Sequence, residues 1–141
     1  MALQPGDAVA LVGHLGAGKT TLASSAVAYL GVPHAASPTF ALVHEYAGTA
    51  FTIWHIDLYR LQRASELPAL GLDDIIGARR GVSLVEWADK FDVMPRSYLE
   101  LQLFHHEGGR QLSVVAHGAT RGPQLAAAML QHYDGLIRST P

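Results

Sequence analysis

A short segment near the start of the chain has the residue types and spacing of a phosphate-binding loop. The pattern Gly-x-x-x-x-Gly-Lys-Thr is met by Gly13, Gly18, Lys19 and Thr20. Glycines let backbone N–H groups turn toward a phosphate, and the start of the following helix adds a favourable dipole. In such loops the lysine reaches the β- and γ-phosphates of a nucleotide, and the threonine hydroxyl binds Mg²⁺.

The neighbouring residues supply the context that this loop requires. The apolar run "AVALV" at 8–12 predicts a buried strand before the loop. Residues 18–30 contain helix-forming residues, and Gly31 and Pro33 stop the predicted helix. A strand before the loop and a helix after it disfavour the alternative, which is a Gly-rich turn that binds nothing.

Two acidic residues follow apolar runs, as residues that complete a hydrolysis site should. Asp57 ends "FTIWHID" and Glu86 ends "VSLVE". Because the carboxyl ends of strands gather at one rim of an open α/β sheet, both carboxylates are expected beside the loop. Asp57 is then the Walker B aspartate of the magnesium shell. The alternative for each is an ordinary surface acid at the end of a strand.

Two further residues are candidates on weaker grounds. Thr39 in "SPT" lies between the first predicted helix and the next strand, where switch-type NTPases bring a threonine to magnesium and the γ-phosphate. A plain Ser-Pro turn is the alternative. Arg60 follows Asp57 by three residues, so it is a candidate arginine finger or a member of a surface ion pair.

The remaining elements predict a mixed sheet. Apolar or alternating runs separated by turns predict strands at 40–46, 51–57, 81–87, 98–104 and 110–116. Residues 64–76 predict short helical pieces broken at Pro68 and Gly71, and residues 124–133 predict a terminal helix. These elements predict an α/β fold, a single P-loop NTPase-like domain over 1–141 with a mixed, partly antiparallel sheet flanked by helices.

Composition excludes several classes of protein. The 141 residues are 49% hydrophobic and 16% charged, enough apolar material for a core, and the net charge is −2. That charge gives no sign of direct binding to nucleic acid or membrane. The absence of cysteine excludes a disulfide scaffold and a thiolate metal site. With no signal peptide and no apolar run of membrane-spanning length, a soluble cytoplasmic protein is expected.

Six segments occur in an order that is more specific than the loop alone. They are "GHLGAGKTT", "SPTF", "LVHEY", "HIDLYRL", "GLDDII" and "LVEW". In this respect the chain resembles the bacterial TsaE family, also called YjeE, over roughly residues 6 to 118. The resemblance implies an ATP- and Mg²⁺-dependent ATPase of tRNA N6-threonylcarbamoyladenosine synthesis, a modification at position 37 of tRNA.

The same resemblance implies partners. In the family the ATPase binds a TsaB–TsaD heterodimer, and TsaD carries out the transfer to tRNA. The chain is therefore expected to meet tRNA only through that complex. Hydrolysis is expected to be weak for the chain alone and to support repeated turnover of the complex.

By position, the resemblance also assigns residues. The catalytic set is Lys19, Asp57, Glu86 and Trp87. The nucleotide-binding set is Gly13, His14, Leu15, Gly16, Ala17, Gly18, Lys19, Thr20, Thr21 and Thr39. The metal-binding set is Thr20, Thr39, Asp57 and Glu86. Our hypothesis for the "EW" pair is that Glu86 orients or polarises the attacking water while Trp87 shields it. A buried core aromatic is the alternative for Trp87.

The chain departs from the family pattern in two places. His14 occupies a loop position where the family usually has an acid. An imidazole there would change the field near the phosphates, unless it points to solvent and changes little. Family members also usually have some twenty more residues before the segment that begins here at Pro5. Either the reading frame is shortened, or base recognition is weaker and a sheet edge is exposed.

Two other functions and a zinc site are alternatives for this chain. A small-molecule kinase also uses a compact phosphate-loop domain, but no arginine-rich insertion of lid length is present. A switch GTPase reads guanine with an Asn-Lys-x-Asp segment, and the chain has no asparagine. A structural zinc site on the eight histidines is disfavoured. His105 and His106 are adjacent, so in a strand they point to opposite faces, and His44 and His55 lack further ligands.

Overall fold

The computed structural model describes residues 3–33 and 41–132. The strands are β1 (Ala8–Gly13), β2 (Val43–Ala47), β3 (Thr52–Asp57), β4 (Gly81–Glu86), β5 (Tyr98–His106) and β6 (Gly109–His117). The α-helices are α1 (Lys19–Tyr29) and α2 (Arg121–His132). Short 3-10 helices span Ala64–Leu70, Leu72–Asp74 and Ala88–Lys90. No helix in these two ranges is long and apolar enough to cross a membrane.

The six strands form one sheet in the order β2-β3-β4-β1-β5-β6. The four inner strands run parallel, and the edge strands β2 and β6 pair antiparallel with β3 and β5. The α/β fold with a mixed, partly antiparallel sheet is therefore confirmed. Since β1, β3 and β4 are parallel neighbours, their carboxyl ends meet at one rim, and the phosphate loop begins there.

The two faces of the sheet are covered differently. Both α-helices pack on one face, where Ala23 and Val27 of α1 and Leu125 of α2 meet the buried strand residues. Leu99, Leu101 and Leu103 of β5 lie in this cluster, so the second hairpin, formed by β5 and β6, has one apolar face.

The other face is covered by the connection between β3 and β4, together with the residues that follow β4. Trp54 and Ile56 of β3 are fully buried there against Leu58, Leu72 and Ala88. This connection contains the short helical pieces expected at 64–76. It packs as a layer with little regular structure, and the strands beneath it keep apolar side chains on both faces, as parallel strands do.

Several element boundaries differ from the sequence predictions by one to three residues. The strand predicted over 81–87 ends at Glu86, because Trp87 adopts a left-handed conformation with φ 58° and leaves the strand. Helix α2 begins at Arg121 rather than at 124, since proline is tolerated in the first turn of a helix, where Pro123 lies. Pro68 lies inside the first 3-10 helix instead of breaking it. The predicted strand 40–46 is observed as Val43–Ala47, and Phe40 is outside the described residues.

Candidate nucleotide-binding site

The phosphate loop connects β1 to α1 and is shaped by its glycines. Gly18 has φ 108°, a conformation that L side chains rarely adopt, immediately before the first residue of α1. At Gly13 a Cβ atom would lie 2.5 Å from the carbonyl oxygen of Leu103 on the neighbouring strand. The first position needs glycine for its backbone angle, and the second needs it for close packing.

Lys19 is the first residue of α1 and is 4% exposed. Its Nζ donates hydrogen bonds to the carbonyl oxygens of Gly13 at 2.6 Å and His14 at 2.9 Å. Burial lowers the pKa of the ammonium group, while the carboxylates of Glu86 and Asp57 oppose that shift. The side chain folds back over the loop, so its charge lies where phosphate oxygens bind in loops of this kind.

Trp87 lies against this lysine. Its ring centre is 4.0 Å from Nζ of Lys19 and 5.0 Å from the ring centre of Tyr59. Among the described residues Trp87 is the one non-glycine residue with positive φ. The left-handed backbone turns the indole toward the loop, where it stays partly exposed. Trp87 therefore lines the cavity, and it also packs against the core cluster that contains Trp54 and Leu58.

Glu86, the last residue of β4, is 1% exposed, and both of its carboxylate oxygens are bonded. Oε2 accepts a hydrogen bond from the hydroxyl of Thr20 at 2.8 Å. Oε1 lies 2.6 Å from Nε2 of His55. Two side chains from different elements thus fix this carboxylate beside the loop.

Asp57, the last residue of β3, is the partner of Glu86 in the β3–β4 register. Its Oδ1 accepts a hydrogen bond from the backbone N–H of Tyr59 at 2.9 Å. Burial raises the pKa of Asp57, and nearby Glu86 adds to the increase, whereas the Tyr59 N–H, His55 and Lys19 oppose it. The two predicted carboxylates therefore converge at one rim.

A cavity of about 240 Å³ opens between the loop and these strand ends. The loop and α1 contribute Leu15, Gly16, Gly18, Lys19, Thr20 and Thr21. The strand ends contribute Asp57, Tyr59, Glu86 and Trp87. This cavity gathers both sequence-predicted acids, the predicted tryptophan and most of the loop.

Some predicted residues lie elsewhere. Gly13, His14 and Ala17 belong to the loop without lining the cavity, and the His14 side chain is exposed to solvent. Arg60 is exposed and does not line the cavity either. Thr39 is outside the described residues.

The side-chain oxygens in the cavity wall suit a magnesium ion that binds mainly to the phosphates of a nucleotide. Thr20, Asp57 and Glu86 supply only oxygen atoms to the cavity wall, and oxygen is the ligand that Mg²⁺ prefers. Within 3–33 and 41–132, no group of three or more His, Cys, Asp or Glu side chains could hold a metal by itself. His44 and His55 do lie opposite each other in the β2–β3 ladder, but Nε2 of His55 is bonded to Glu86.

Sequence reasoning missed two residues that support the site. His55 was considered only as a metal ligand, although its position two residues before Asp57 places both side chains on one face of β3. Arg110 of β6 donates from Nε to the carbonyl oxygen of Ala17 at 3.1 Å and from Nη2 to that of Gly16 at 3.3 Å. No local pattern indicates Arg110, because it reaches the loop from a hairpin more than 90 residues away.

Comparison with known proteins decides the family. The model of the family "Threonylcarbamoyl adenosine biosynthesis protein TsaE" matches residues 1–112, more than half of the chain. The chain belongs to the TsaE family. Its phosphate loop, both acids and Trp87 all lie inside the part that matches the TsaE model.

Several relatives carry the name tRNA threonylcarbamoyladenosine biosynthesis protein TsaE. The TsaE of Bacillus subtilis is 39% identical over 100 residues, which cover 70% of this chain and 61% of the relative. The Nostoc TsaE is 33% identical over 84% of this chain and 75% of its own length. The Haemophilus influenzae TsaE is 34% identical over 77% of this chain and 69% of its own length. The chain thus spans about three fifths to three quarters of these relatives.

A solved structure agrees with this assignment. The crystal structure of YdiB from Bacillus subtilis matches this chain with a TM-score of 0.71 and 25% sequence identity. The match covers 94% of this chain and 82% of YdiB. The two chains therefore share one fold.

Proposed function

We propose that this chain is the Mg²⁺-dependent ATPase component of the machinery that makes N6-threonylcarbamoyladenosine at position 37 of tRNA. Membership of the TsaE family supports the pathway. The names of the Bacillus, Nostoc and Haemophilus relatives support it as well. The ATPase activity is supported by the chemistry of the cavity, which places a phosphate loop beside two carboxylates.

One observation carries the proposal. The Thr20 hydroxyl, at the start of α1, donates a hydrogen bond to Glu86 at the end of β4. A threonine that donates its proton to a carboxylate keeps its oxygen lone pairs available to a cation. The bond therefore joins the phosphate loop to an acidic strand end, which is the arrangement a Mg²⁺-nucleotide site requires.

Each predicted residue then has a role. Lys19 leaves the loop carbonyls and contacts the β- and γ-phosphates of ATP, while the loop N–H groups surround the β-phosphate. Thr20, Asp57, Glu86 and the switch threonine Thr39 would hold Mg²⁺ directly or through water. Bound Mg²⁺ would neutralise the charge that develops on the phosphate oxygens. Glu86 orients the attacking water, and Trp87 covers Lys19 and limits access of bulk water.

The proposal also covers where the chain acts and which proteins it acts on. The chain acts as a single ATPase domain in the cytoplasm, it hydrolyses ATP slowly alone, and it works on a TsaB–TsaD complex that carries the tRNA. The exposed side chain of Leu15 in the loop, 69% accessible, offers apolar surface at the mouth of the cavity for such a partner.

The experiment measures threonylcarbamoyladenosine in bulk tRNA by nucleoside mass spectrometry. The host is a bacterium depleted of its own TsaE, which expresses this chain, its Lys19→Ala variant or an Arg79→Ala variant. Arg79 is exposed and lies outside the cavity, so it is the matched control for removal of a basic side chain.

The proposal predicts that the chain and Arg79→Ala restore the modification while Lys19→Ala does not. Restoration by Lys19→Ala would contradict a nucleotide-dependent role. If a folded, ATP-binding chain restores nothing, even when co-expressed with TsaB and TsaD from its own source, the pathway assignment is wrong. A phosphate-acceptor screen would then test the kinase alternative.

A further inference from the structure

The site contains a histidine that the proposed function does not use. His55 lies in the middle of β3, is 1% exposed, and is surrounded by strand neighbours with apolar side chains such as Leu84 and Ile53. Burying a polar ring costs free energy unless it is hydrogen-bonded. The one partner that the described residues give its Nε2 is the carboxylate of Glu86, at 2.6 Å.

This contact continues in a chain of three side chains. Nε2 of His55 contacts Oε1 of Glu86, and Oε2 of Glu86 accepts from the Thr20 hydroxyl. An ionised carboxylate can only accept, so His55 donates and carries its ring proton on Nε2. This series of hydrogen-bonded side chains extends from the interior of the sheet to the first turn of α1.

We infer that His55 is a positioning residue that fixes Glu86, so that Glu86 holds the Thr20 hydroxyl with its lone pairs toward the cation. This inference rests on the proposed function, because it concerns how the same site holds its Mg²⁺-nucleotide. His55 itself does not line the cavity, so it acts only through Glu86. Replacing a side chain that orients a metal ligand without contacting the metal commonly lowers metal affinity or activity by about 10- to 100-fold.

Geometry explains why histidine suits this position. A carboxylate with one bonded oxygen can rotate about its Cγ–Cδ bond and lose the alignment of the other oxygen. The imidazole fixes Oε1 of Glu86 from within the sheet, while Thr20 contacts Oε2 from the side of α1. A donor at the reach of Nε2 is therefore needed, and a donor nearer the backbone cannot replace it.

The test uses substitutions that separate donor position from volume. His55→Gln keeps an N–H donor at about the reach of Nε2, and His55→Asn moves the donor toward the backbone. His55→Met fills the space without a donor. His44→Met is the matched control, because His44 faces His55 across the β2–β3 ladder and has no described contact with Glu86.

Two dissociation constants and two kinetic constants are measured for each purified variant. A fluorescent ATP analogue gives the dissociation constant in EDTA and in Mg²⁺, and phosphate release gives kcat and KM. We expect kcat of His55→Met and His55→Asn to fall about 10- to 100-fold. The factor by which Mg²⁺ tightens binding of the analogue, relative to EDTA, is expected to fall by about the same amount. The affinity in EDTA stays within about threefold of wild type, since the loop and Lys19 are unchanged. His55→Gln and His44→Met remain within a few-fold of wild type throughout.

Combination with Glu86→Gln tests whether His55 acts through Glu86. In that background, His55→Met is expected to cause no further loss of the Mg²⁺-dependent gain in affinity, because the oriented carboxylate is already absent. The inference is overturned if His55→Met keeps the full Mg²⁺ gain. It is also overturned if His55→Met loses affinity equally in EDTA and in Mg²⁺, or if the losses add in the double variant. A wild-type chain that does not bind the analogue at all contradicts the proposed function instead.

Discussion

The ends of β3 and β4 carry the two acids of the site, and their surroundings differ although the residues are register partners. Glu86 is fully buried, and both of its oxygens are bonded by side chains. Asp57 is only partly buried, its Oδ1 accepts a hydrogen bond from the backbone N–H of Tyr59, and burial raises its pKa. One carboxylate is held rigidly beside the loop, and the other faces the cavity and can adapt to a ligand.

The position of an acid at the rim of the sheet therefore does not by itself determine its role in the site. Parallel strands bring any residue at their carboxyl ends to the same edge, so the topology alone makes Asp57 and Glu86 equivalent. The side chains behind them separate the two. His55 and Thr20 order Glu86, and an ordered carboxylate is preorganised for chemistry in a way that a water-exposed one is not.

The largest expected effect is that of Glu86→Gln. The substitution keeps the shape of the side chain but removes the charge that holds Thr20 and the attacking water. We expect hydrolysis to fall about 100-fold or more and the gain of ATP affinity from Mg²⁺ to be largely lost, while ATP affinity in EDTA changes by only a few-fold. Phosphate release measures hydrolysis, and a fluorescent ATP analogue measures binding with and without Mg²⁺. An equal loss of hydrolysis and of binding in EDTA would show that Glu86 supports the fold of the site rather than the reaction.

A smaller effect is expected from Asp57→Asn, which tests whether the less constrained acid of the pair serves mainly to bind Mg²⁺. Asparagine keeps an oxygen that can bind a cation or a bound water, but it removes the charge. We expect about a tenfold rise in the Mg²⁺ concentration needed for half-maximal hydrolysis, with partial recovery of the rate at high Mg²⁺. If Asp57→Asn instead abolished hydrolysis at every Mg²⁺ concentration, the roles of the two acids would have to be exchanged.

Arg110→Ala should have a more modest effect, because Arg110 supports the loop rather than a strand end. Two hydrogen bonds to the carbonyls of Gly16 and Ala17 are lost. Arg110 is exposed, so we expect nucleotide affinity to fall about three- to tenfold, with kcat of the bound enzyme unchanged. Arg79→Ala, measured by the same titration, is the control. A fall in kcat at saturating ATP would mean that Arg110 takes part in the reaction.

The smallest expected effect concerns stability and pH. Burial raises the pKa of Asp57, so the folded chain retains this proton to a higher pH than the unfolded chain does. Between the pKa of Asp57 in the unfolded chain and its higher pKa in the folded chain, the folded state binds more protons. The free energy of unfolding therefore increases as pH falls through this window. Above the window the ionised carboxylate destabilises the nucleotide-free chain.

Asp57→Asn should therefore have a slightly higher Tm than wild type at neutral pH. The difference should shrink as pH is lowered through the raised pKa of Asp57, because protonation then makes the two side chains alike in charge. Thermal unfolding of both chains without nucleotide, from pH 8 downward, measures this. A difference that is independent of pH would mean that Asp57 is not desolvated in the folded chain.

Sequence predicted the parts of the site whose signals are local. The loop glycines, Lys19 and Thr20 follow from one spacing, and Asp57 and Glu86 follow from apolar runs that end in an acid. The mixed sheet followed from the same runs, and the structure confirms it. These features depend on residues close together in the chain.

What sequence could not predict depends on distant contacts. Arg110 reaches the loop from the second hairpin, and the bond between His55 and Glu86 joins residues on two different strands. The left-handed turn at Trp87 was also missed, since tryptophan has no preference for positive φ and the surrounding packing must impose it. The role of Thr39 stays a prediction.

A crystal structure of the chain with Mg²⁺ and a non-hydrolysable ATP analogue would show whether the phosphate loop and Glu86 form one magnesium-nucleotide site. We expect Mg²⁺ at about 2.1 Å from Oγ1 of Thr20. We also expect Lys19 to have moved from the loop carbonyls to the β- and γ-phosphates, while Glu86 keeps its bonds to Thr20 and His55. A nucleotide bound away from the loop, or a Glu86 that has released both partners, would contradict this site.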